Sequence, residues 1–281
     1  MMWAARLLLV SLAAWAAPQR IVSTAPSFTE TLYAMGAGER VVAVSTYCHY
    51  PAAVEKLPRI GTYLQPNVEA IARLKPDLVL VHAEQRAVVA QLAGLGIKTL
   101  ALRNTTLEDT LGTIPLVGAA IGMKAQAAAL EKSLRFRLAT IAKRNEGKGA
   151  RPLLFIVGRT PGRLDGMIAV GRGSYLNDLI RVAGGRNVLA DSPVAYPTIS
   201  VEGVVRLDPD VIVDMGDMAA TVGITAEHKR AVEKLWAGQP AIRAVSNKRV
   251  HAVAADIFVV PGPRVVEAAE AFAAMLDGGA R

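Results

Sequence analysis

The residues best suited to contact a ligand are tyrosines that lie outside the hydrophobic segments. Aromatic residues make up 5% of the 281-residue chain, yet Tyr47, Tyr63 and Tyr196 each fall in a segment that reads as a loop. A tyrosine ring buries a large flat area, and its phenol provides a polar contact or an Fe(III) ligand. These side chains therefore predict a site for a large planar molecule. Tyr50, beside Pro51, is interpreted instead as filling a gap between its loop and the core.

The histidines give little indication of a dedicated metal site. The four histidines are His49, His82, His228 and His251. No two of them are paired at the spacing that zinc sites use. We therefore predict no metal-carrier site. His82 directly follows an apolar segment that reads as a strand. It is a candidate ligand for a metal within a bound molecule, and the alternative is an ordinary polar loop residue.

The sequence motifs that are typical of enzyme active sites are incomplete or absent in this chain. The segment Gly171 to Leu176 has leucine where a dinucleotide-binding loop has its third glycine. The chain also has no G-x-S-x-G nucleophile motif. We expect no enzyme and no catalytic cofactor. An exported α/β hydrolase is the alternative from another class, and it requires a nucleophile with a base in reach.

Apolar segments alternate with helical patterns along the chain, which predicts an α/β protein with parallel strands. Seven strands are predicted, at residues 20–23, 41–45, 77–81, 97–102, 153–157, 211–215 and 249–254. Between the fourth and the fifth, residues 123–144 place apolar side chains at helical spacing. The pattern predicts one helix of about 33 Å that joins two groups of strands.

An internal repeat relates these two groups. Residues 67–81 align without gaps on residues 200–214, with six of fifteen positions identical. Each copy predicts a capped short helix, a Pro-Asp turn and a buried strand. Glu69 and Glu202 occupy the same position in the two copies, and Tyr63 and Tyr196 each precede that glutamate by six residues. The repeat predicts two pseudo-symmetric lobes. Glu30 is interpreted differently, as part of a capping box with a local role.

The N-terminal residues predict the compartment. Residues 1–17 combine Arg6, an apolar stretch and small residues at positions 14 and 16, as cleavable secretory signals do. Cys48 is the one cysteine and lies far from the predicted cleavage point, so we expect a free periplasmic or secreted protein without a lipid anchor. The net charge is +8, but the basic residues are scattered, so no nucleic-acid partner is predicted.

These observations predict an α/β fold with two pseudo-symmetric lobes, central parallel sheets and one long α-helix between them. The division is a signal peptide at 1–17, an N-terminal α/β lobe at 18–122, an interlobe helix at 123–146 and a C-terminal α/β lobe at 147–281. Loops at the carboxyl ends of parallel strands are the usual place for ligands. The ligand cleft is therefore expected between the lobes.

Five segments, taken in order, carry a resemblance to a known family. They are APSFTETLYAMGAGERVVAVSTYCHYP, GTYLQPNVEAIARLKPDLVLV, AGGRNVLAD, YPTISVEGVVRLDPDVIV and DIFVVPGPRVVEA. From about residue 20 to residue 276 the chain resembles the periplasmic substrate-binding proteins of cobalamin, haem and ferric-siderophore ABC importers, and its cobalamin-binding members most of all. The resemblance implies a ligand held between two lobes and delivered to a membrane permease without any reaction. A helical bridge also predicts a small lobe rearrangement rather than a wide closure.

The resemblance also implies roles for particular residues. Tyr47, Tyr63 and Tyr196 match aromatic wall positions of the cobalamin binders, and Asp256 with Phe258 match their last cleft loop. The family has tryptophan at two of these places, where this chain has Tyr63 and Tyr196. A cobalamin-like corrinoid is therefore the first expected ligand, and haem or a ferric siderophore is the alternative. A partner-binding module with a filled cleft is a third possibility.

The resemblance further assigns Glu69 and Glu202 to permease docking. They match two glutamates that such proteins place on arginine pockets of the transporter. One carboxylate per lobe suits a two-fold symmetric partner. A glutamate in a first helical turn also stabilises its helix by about 0.3 to 1 kcal/mol, but that effect does not explain the shared register.

Overall fold

The computed structural model describes residues 17–216 and 225–278. The predicted signal segment therefore lies outside the described residues, apart from its last residue. The described chain forms two α/β lobes in sequence order, with one long helix between them. Among the described helices, none has both the length and the apolar character needed to cross a bilayer.

The first lobe contains a four-stranded parallel sheet in the order β2-β1-β3-β4. Strands β1 and β3 at its centre are buried almost throughout, as expected for parallel strands covered on both faces. The elements of this lobe are β1 (Ile21–Ser23), α1 (Pro26–Ala34), β2 (Val41–Val44), α2 (Val68–Arg73), β3 (Leu78–His82), α3 (Arg86–Gly94), β4 (Thr99–Leu102) and α4 (Leu107–Ala120).

The bridging helix is α5 (Lys124–Asn145), which agrees with the helix predicted at 123–144. Its buried apolar residues lie three to seven positions apart and so line one face, namely Ala127, Leu134, Leu138 and Ile141. Helix α5 packs along α4, and Arg135 on its outer side binds both carboxylate oxygens of Glu108 at 2.9 and 3.0 Å. The bridge is therefore a packed element of the molecule and not a free linker.

The second lobe contains a mixed sheet in the order β10-β9-β5-β6-β8, with β7 also paired to β5. Strands β7, β9 and β10 run parallel to their neighbours, whereas β6 and β8 are antiparallel. Its elements are β5 (Arg151–Gly158), β6 (Met167–Ala169), α6 (Tyr175–Val182), β7 (Gly185–Asn187), β8 (Thr198–Ile199), α7 (Val201–Leu207), β9 (Val211–Asp214), α8 (Ala226–Ala237), α9 (Arg243–Ser246), β10 (Val250–Ala252) and α10 (Val265–Asp277). All seven predicted strands are present, and β6, β7 and β8 were not predicted.

The two copies of the repeat adopt the same local structure. Asn67 caps α2 and Ser200 caps α7, each accepting a hydrogen bond from a backbone N–H of the first turn at 2.9 and 3.2 Å. The chain then leaves the helix through a left-handed residue at matching positions, Lys75 with φ 47° and Asp208 with φ 40°. Left-handed backbone is uncommon outside glycine, so this shared detail supports a common design for the two lobes.

One apolar core extends through both lobes. It includes Ile21 and Phe28 from the first lobe, Leu134 from α5, and Phe155 and Phe272 from the second lobe. Smaller apolar clusters cover the outer face of each sheet. Separating the lobes would expose this shared core to water, which is unfavourable in proportion to the area exposed. The arrangement favours small adjustments of the cleft over a wide opening.

The capping box that the sequence predicts around Glu30 is wrong. Helix α1 begins at Pro26, Ala25 stands at its N-cap, and no side chain caps it. Proline is well suited to the first helical position because its fixed φ matches the helix and its missing N–H is not needed there. Glu30 therefore lies a full turn inside the helix, where it is buried and binds Arg264 of the second lobe.

Candidate functional site

Three aromatic side chains of the first lobe lie together at the carboxyl ends of its strands. Tyr47 follows β2, His82 ends β3, and Tyr63 comes from the loop before α2. The ring centroids of Tyr47 and Tyr63 are 6.0 Å apart, and those of Tyr63 and His82 are 5.9 Å apart. We call these three residues the first-lobe wall. Their edge-on contacts leave ring surface free for a ligand.

The loop that carries Tyr63 is held in place by its backbone. The Thr46 N–H donates to the carbonyl of Gly61 at 2.8 Å, which fastens this loop to the loop after β2. Gly61 has φ 91°, and a Cβ atom there would lie 2.6 Å from the carbonyl oxygen of Gln65. Only glycine fits this position without strain. The turn therefore places Tyr63 beside Tyr47.

His82 occupies the deepest position of the first-lobe wall. Its ring centroid lies 4.8 Å from that of Phe28, which is fully buried beneath it. Burial lowers the pKa of His82, and the nearby carboxylate of Glu84 opposes that change. The imidazole is therefore neutral at neutral pH and keeps a lone pair available to a metal or a hydrogen-bond donor.

Tyr196 belongs to the second lobe and lies near this wall. Its loop is fixed to β6 by hydrogen bonds from Ala169 N–H to the carbonyl of Pro197 and from Gly171 N–H to the carbonyl of Ala195, at 2.9 and 2.8 Å. Burial raises the pKa of Tyr196 to about 12, and Tyr63 adds to the effect. The Tyr196 residue is still 43% exposed, so it is accessible to a ligand.

An ionic cluster joins the lobes beside Tyr50. Arg264 donates to both oxygens of Asp256 at 2.9 and 2.7 Å and to Glu30 Oε2 at 3.0 Å. Burial works against the guanidinium charge, but the hydrogen bonds that Arg264 donates to the two carboxylates hold its pKa above the ordinary value. Burial also raises the pKa of Glu30, which Arg264 counteracts. Asp256 is therefore engaged with Arg264 in this structure.

Two sequence interpretations of loop aromatics are corrected by the structure. Phe258 is 3% exposed and packs in the core against Phe155 and Phe272, at centroid distances of 5.7 and 5.3 Å. Its side chain supports the last cleft loop and does not line it. Tyr50 is exposed, and the guanidinium of Arg264 lies 4.0 Å above its ring centroid. Tyr50 therefore does not fill a gap in the core.

Glu69 and Glu202 stand on the first turns of α2 and α7. The Glu69 side chain is 89% exposed and lies 3.8 Å from Arg73 of the same helix. Glu202 is exposed too, and its own backbone N–H and the Ser200 hydroxyl lower the pKa of its carboxyl. Beside Glu202 is a recess of about 440 Å³ with Met167 and Ile199 in its lining. Both carboxylates are therefore accessible from solvent.

Sequence reasoning missed the importance of Glu30 and Arg264. The two residues are 234 positions apart, and no periodicity or motif relates them. It also missed Leu64 and Val194, large apolar residues that are exposed on the same loops as Tyr63 and Tyr196. Exposed apolar side chains beside aromatic ones are a signal that could have marked both loops.

A second recess lies apart from the tyrosines. Its volume is about 510 Å³, and its lining includes Arg159, Gly216 and His228. Within the residues that the structure describes, no group of three or more histidine, cysteine or acidic side chains is arranged to hold a metal ion. The aromatic residues at the junction of the lobes remain the candidate ligand site.

Two α/β lobes, a packed helical bridge and an aromatic surface at their junction define a bilobal solute-binding protein. The sequence profile of the periplasmic binding protein family matches residues 21–256. This chain belongs to that family, which confirms the resemblance stated from its motifs. The family consists of transport proteins that bind a substrate, and it is not a class of enzymes.

Individual relatives bind different molecules. A vitamin B12-binding protein of Photorhabdus laumondii subsp. laumondii is 29% identical over 265 residues, covering 94% of this chain and 90% of its own. A crystal structure of a periplasmic vitamin B12-binding protein of Vibrio cholerae has a TM-score of 0.79 at 28% identity, covering 94% and 98%. A periplasmic heme-binding protein of Pseudomonas aeruginosa has the same TM-score at 26% identity, covering 94% of each chain. The fold is therefore common to binders of both kinds of ligand.

A further relative concerns attachment to the membrane. An ABC transporter substrate-binding lipoprotein of Bacillus subtilis is 33% identical over 264 residues, covering 91% of this chain and 79% of its own. Lipid-anchored members therefore occur among the relatives of this chain.

Proposed function

We propose that this protein captures a cobalamin-like corrinoid between its lobes and delivers it to the permease of an ABC importer. The observation that carries the proposal is the first-lobe wall of Tyr47, Tyr63 and His82, with Tyr196 of the second lobe close by. Flat rings from two lobes provide the large apolar contact that a planar macrocycle requires. Similarity to vitamin B12-binding proteins supports the same ligand class.

The phenol of Tyr196 adds a hydrogen-bond donor to the proposed contact. With a pKa of about 12, its phenol keeps its proton at neutral pH. A protonated phenol donates a hydrogen bond, for example to an amide oxygen, whereas ligation of Fe(III) requires the tyrosinate. Tyr196 can therefore hydrogen-bond to the amide-bearing rim of a corrinoid, whereas ligation of a ferric centre would require loss of this proton.

Haem is the second candidate ligand. The similarity to a periplasmic heme-binding protein is as strong in structure as the similarity to the vitamin B12 binder. Tyr47 and Tyr63 also place two further phenols on the first-lobe wall. A ferric siderophore belongs to the same alternative, and a ferric hydroxamate transport protein of Saccharomonospora viridis shares the fold with a TM-score of 0.73 at 26% identity.

Delivery to the permease is proposed to use Glu69 and Glu202. These carboxylates occupy equivalent places in the two lobes, and basic pockets on a two-fold symmetric transporter would recognise them in the same way. We propose that the N-terminal lobe (18–122) and the C-terminal lobe (147–281) each supply one docking point. The interlobe helix (123–146) would keep the two docking points at a fixed separation. The mature protein is proposed to act in the periplasm as a free protein, after removal of residues 1–17.

Visible absorption of the purified protein, titrated separately with cyanocobalamin, haemin and a ferric hydroxamate, tests the ligand assignment. We expect saturable one-to-one binding of cyanocobalamin. If only haemin or only the ferric hydroxamate binds, that molecule replaces the corrinoid as the proposed ligand. Binding of none of them would contradict the proposal, and turnover of an ester would then favour a hydrolase.

A further inference from the structure

His82 differs from the other histidines in its surroundings. It is in ring contact with Phe28 and with Tyr63 of the first-lobe wall. His49 instead hydrogen-bonds to Glu55 at 3.1 Å on an exposed loop. The remaining two belong to elements of the second lobe, His228 to α8 and His251 to β10. Among the four histidines of the chain, His82 is the one placed on the candidate ligand surface.

The position of the His82 ring is set by packing. Phe28 lies beneath it as a buried support and Tyr63 stands at its edge. No hydrogen bond to either ring nitrogen is found among the described residues, and neither nitrogen is among the enclosed atoms that lack a partner. The imidazole is therefore held rigidly while a nitrogen lone pair stays open to a ligand, which is the condition for a preorganised contact.

The His82 imidazole is suited to binding a transition metal. Neutral imidazole binds first-row transition metals well through one ring nitrogen. The ligand proposed above contains such a metal at the centre of a planar ring, with one axial position on each face. A side chain that approaches from the wall meets the face of the macrocycle, and a nitrogen there reaches an axial position.

We propose that His82 coordinates the cobalt of a Co(III) corrinoid whose exposed axial ligand is water. The imidazole lone pair forms the Co–N bond as the water leaves with its own electron pair, and the cobalt stays Co(III). The inference rests on the proposed function and adds selectivity to it. Corrinoids with an exchangeable axial water are bound more tightly than those in which cyanide or an alkyl group occupies that position.

Equilibrium titrations with aquocobalamin and cyanocobalamin test this inference. The two molecules share the macrocycle and differ in the axial ligand, so their affinity ratio isolates coordination from stacking. For the unmodified protein we expect about tenfold tighter binding of aquocobalamin, equivalent to about 1.4 kcal/mol. The visible bands of aquocobalamin should also shift on binding, as its oxygen ligand is replaced by nitrogen.

Two substitutions separate coordination from packing. His82→Phe keeps an aromatic ring on Phe28 and removes the nitrogen. Whatever its effect on the affinity for cyanocobalamin, the ratio of the two affinities should fall to about one and the band shift should disappear. His49→Phe is the matched control, and it should keep both the affinity ratio and the band shift of the unmodified protein. If His82→Phe does not fold, as judged by circular dichroism, His82→Gln provides the same comparison.

The outcomes distinguish this inference from the proposed function. Equal binding of both corrinoids without a band shift would overturn coordination by His82 and leave the corrinoid assignment intact. A band shift that survives in the His82 variants would overturn it as well. Binding of neither corrinoid to the unmodified protein would refute the proposed function itself.

Discussion

Arg264 of the second lobe and Glu30 of the first form an ion pair with both side chains almost enclosed, 12% and 2% exposed. The same guanidinium also binds Asp256 and covers the ring of Tyr50. Nearby, the N–H of Tyr175 in the second lobe donates to the carbonyl of Thr105 in the first at 2.8 Å. These contacts fix the relative position of the loops that carry the candidate site.

Glu30→Ala should destabilise the protein strongly, because it leaves a buried guanidinium with one of its two carboxylates missing. We expect a loss of about 3 kcal/mol in the free energy of unfolding. Urea denaturation followed by circular dichroism measures it. Glu108→Ala is the matched control, since Glu108 pairs with Arg135 at the surface and should cost less than about 1 kcal/mol. Equal losses in the two variants would contradict a special role for the buried pair.

Tyr63→Ala and Tyr196→Ala should each weaken corrinoid binding by about 1 to 3 kcal/mol, because each removes a ring from the proposed contact. Isothermal titration calorimetry with cyanocobalamin gives the affinities. Phe136→Ala serves as the control, because this ring is 72% exposed on α5 and is not part of the first-lobe wall. Unchanged affinity in both tyrosine variants would exclude these rings from the site.

Replacing Glu69 and Glu202 together by alanine should leave ligand affinity unchanged and impair delivery. Loss of two accessible carboxylates should weaken binding to the reconstituted permease at least about tenfold. Surface plasmon resonance with permease in nanodiscs, together with uptake of labelled ligand, measures the effect. Glu146→Ala removes an exposed carboxylate at the end of α5 and should change neither quantity. Normal uptake by the double variant would refute the docking role.

Tyr196 should ionise later than an ordinary tyrosine as the pH rises. Its pKa in the folded protein is about 12, against an ordinary value of 10, so it favours folding below pH 10 and that contribution is lost as the pH approaches 12. A rapid pH jump with ultraviolet detection compares the protein with Tyr196→Phe before alkaline unfolding begins. The tyrosinate absorbance of the two should differ only well above pH 10. A difference already half complete at pH 10 would show an unperturbed phenol.

The sequence predicted the strands of the fold because buried parallel strands read as uninterrupted apolar runs. Strand β3 is an example, with Leu78 through Val81 all buried. Strands β6, β7 and β8 have three, three and two residues, which is too short for any periodicity to be seen. They form because long-range pairing with β5 and with each other supplies their hydrogen bonds.

The candidate site was predictable where loops follow predicted strands and not where distant segments meet. Tyr47, Tyr63 and His82 come together because their loops share one edge of one sheet. Glu30 was misassigned because a serine three residues before a glutamate also describes a capping box, and the pattern does not reveal that the helix already starts at Pro26. The burial of Phe258 depends on distant Phe155 and Phe272, which a local pattern does not reveal.

The apolar interior that runs from Ile21 through Leu134 to Phe272 has a consequence for cooperativity. Neither half of the chain contains a complete apolar core. A polypeptide cut within α5 would therefore yield two fragments that each expose an apolar surface to water. Calorimetry of the intact protein should show one endotherm instead of two. Cargo held at the junction would then raise the melting temperature of the entire molecule by mass action.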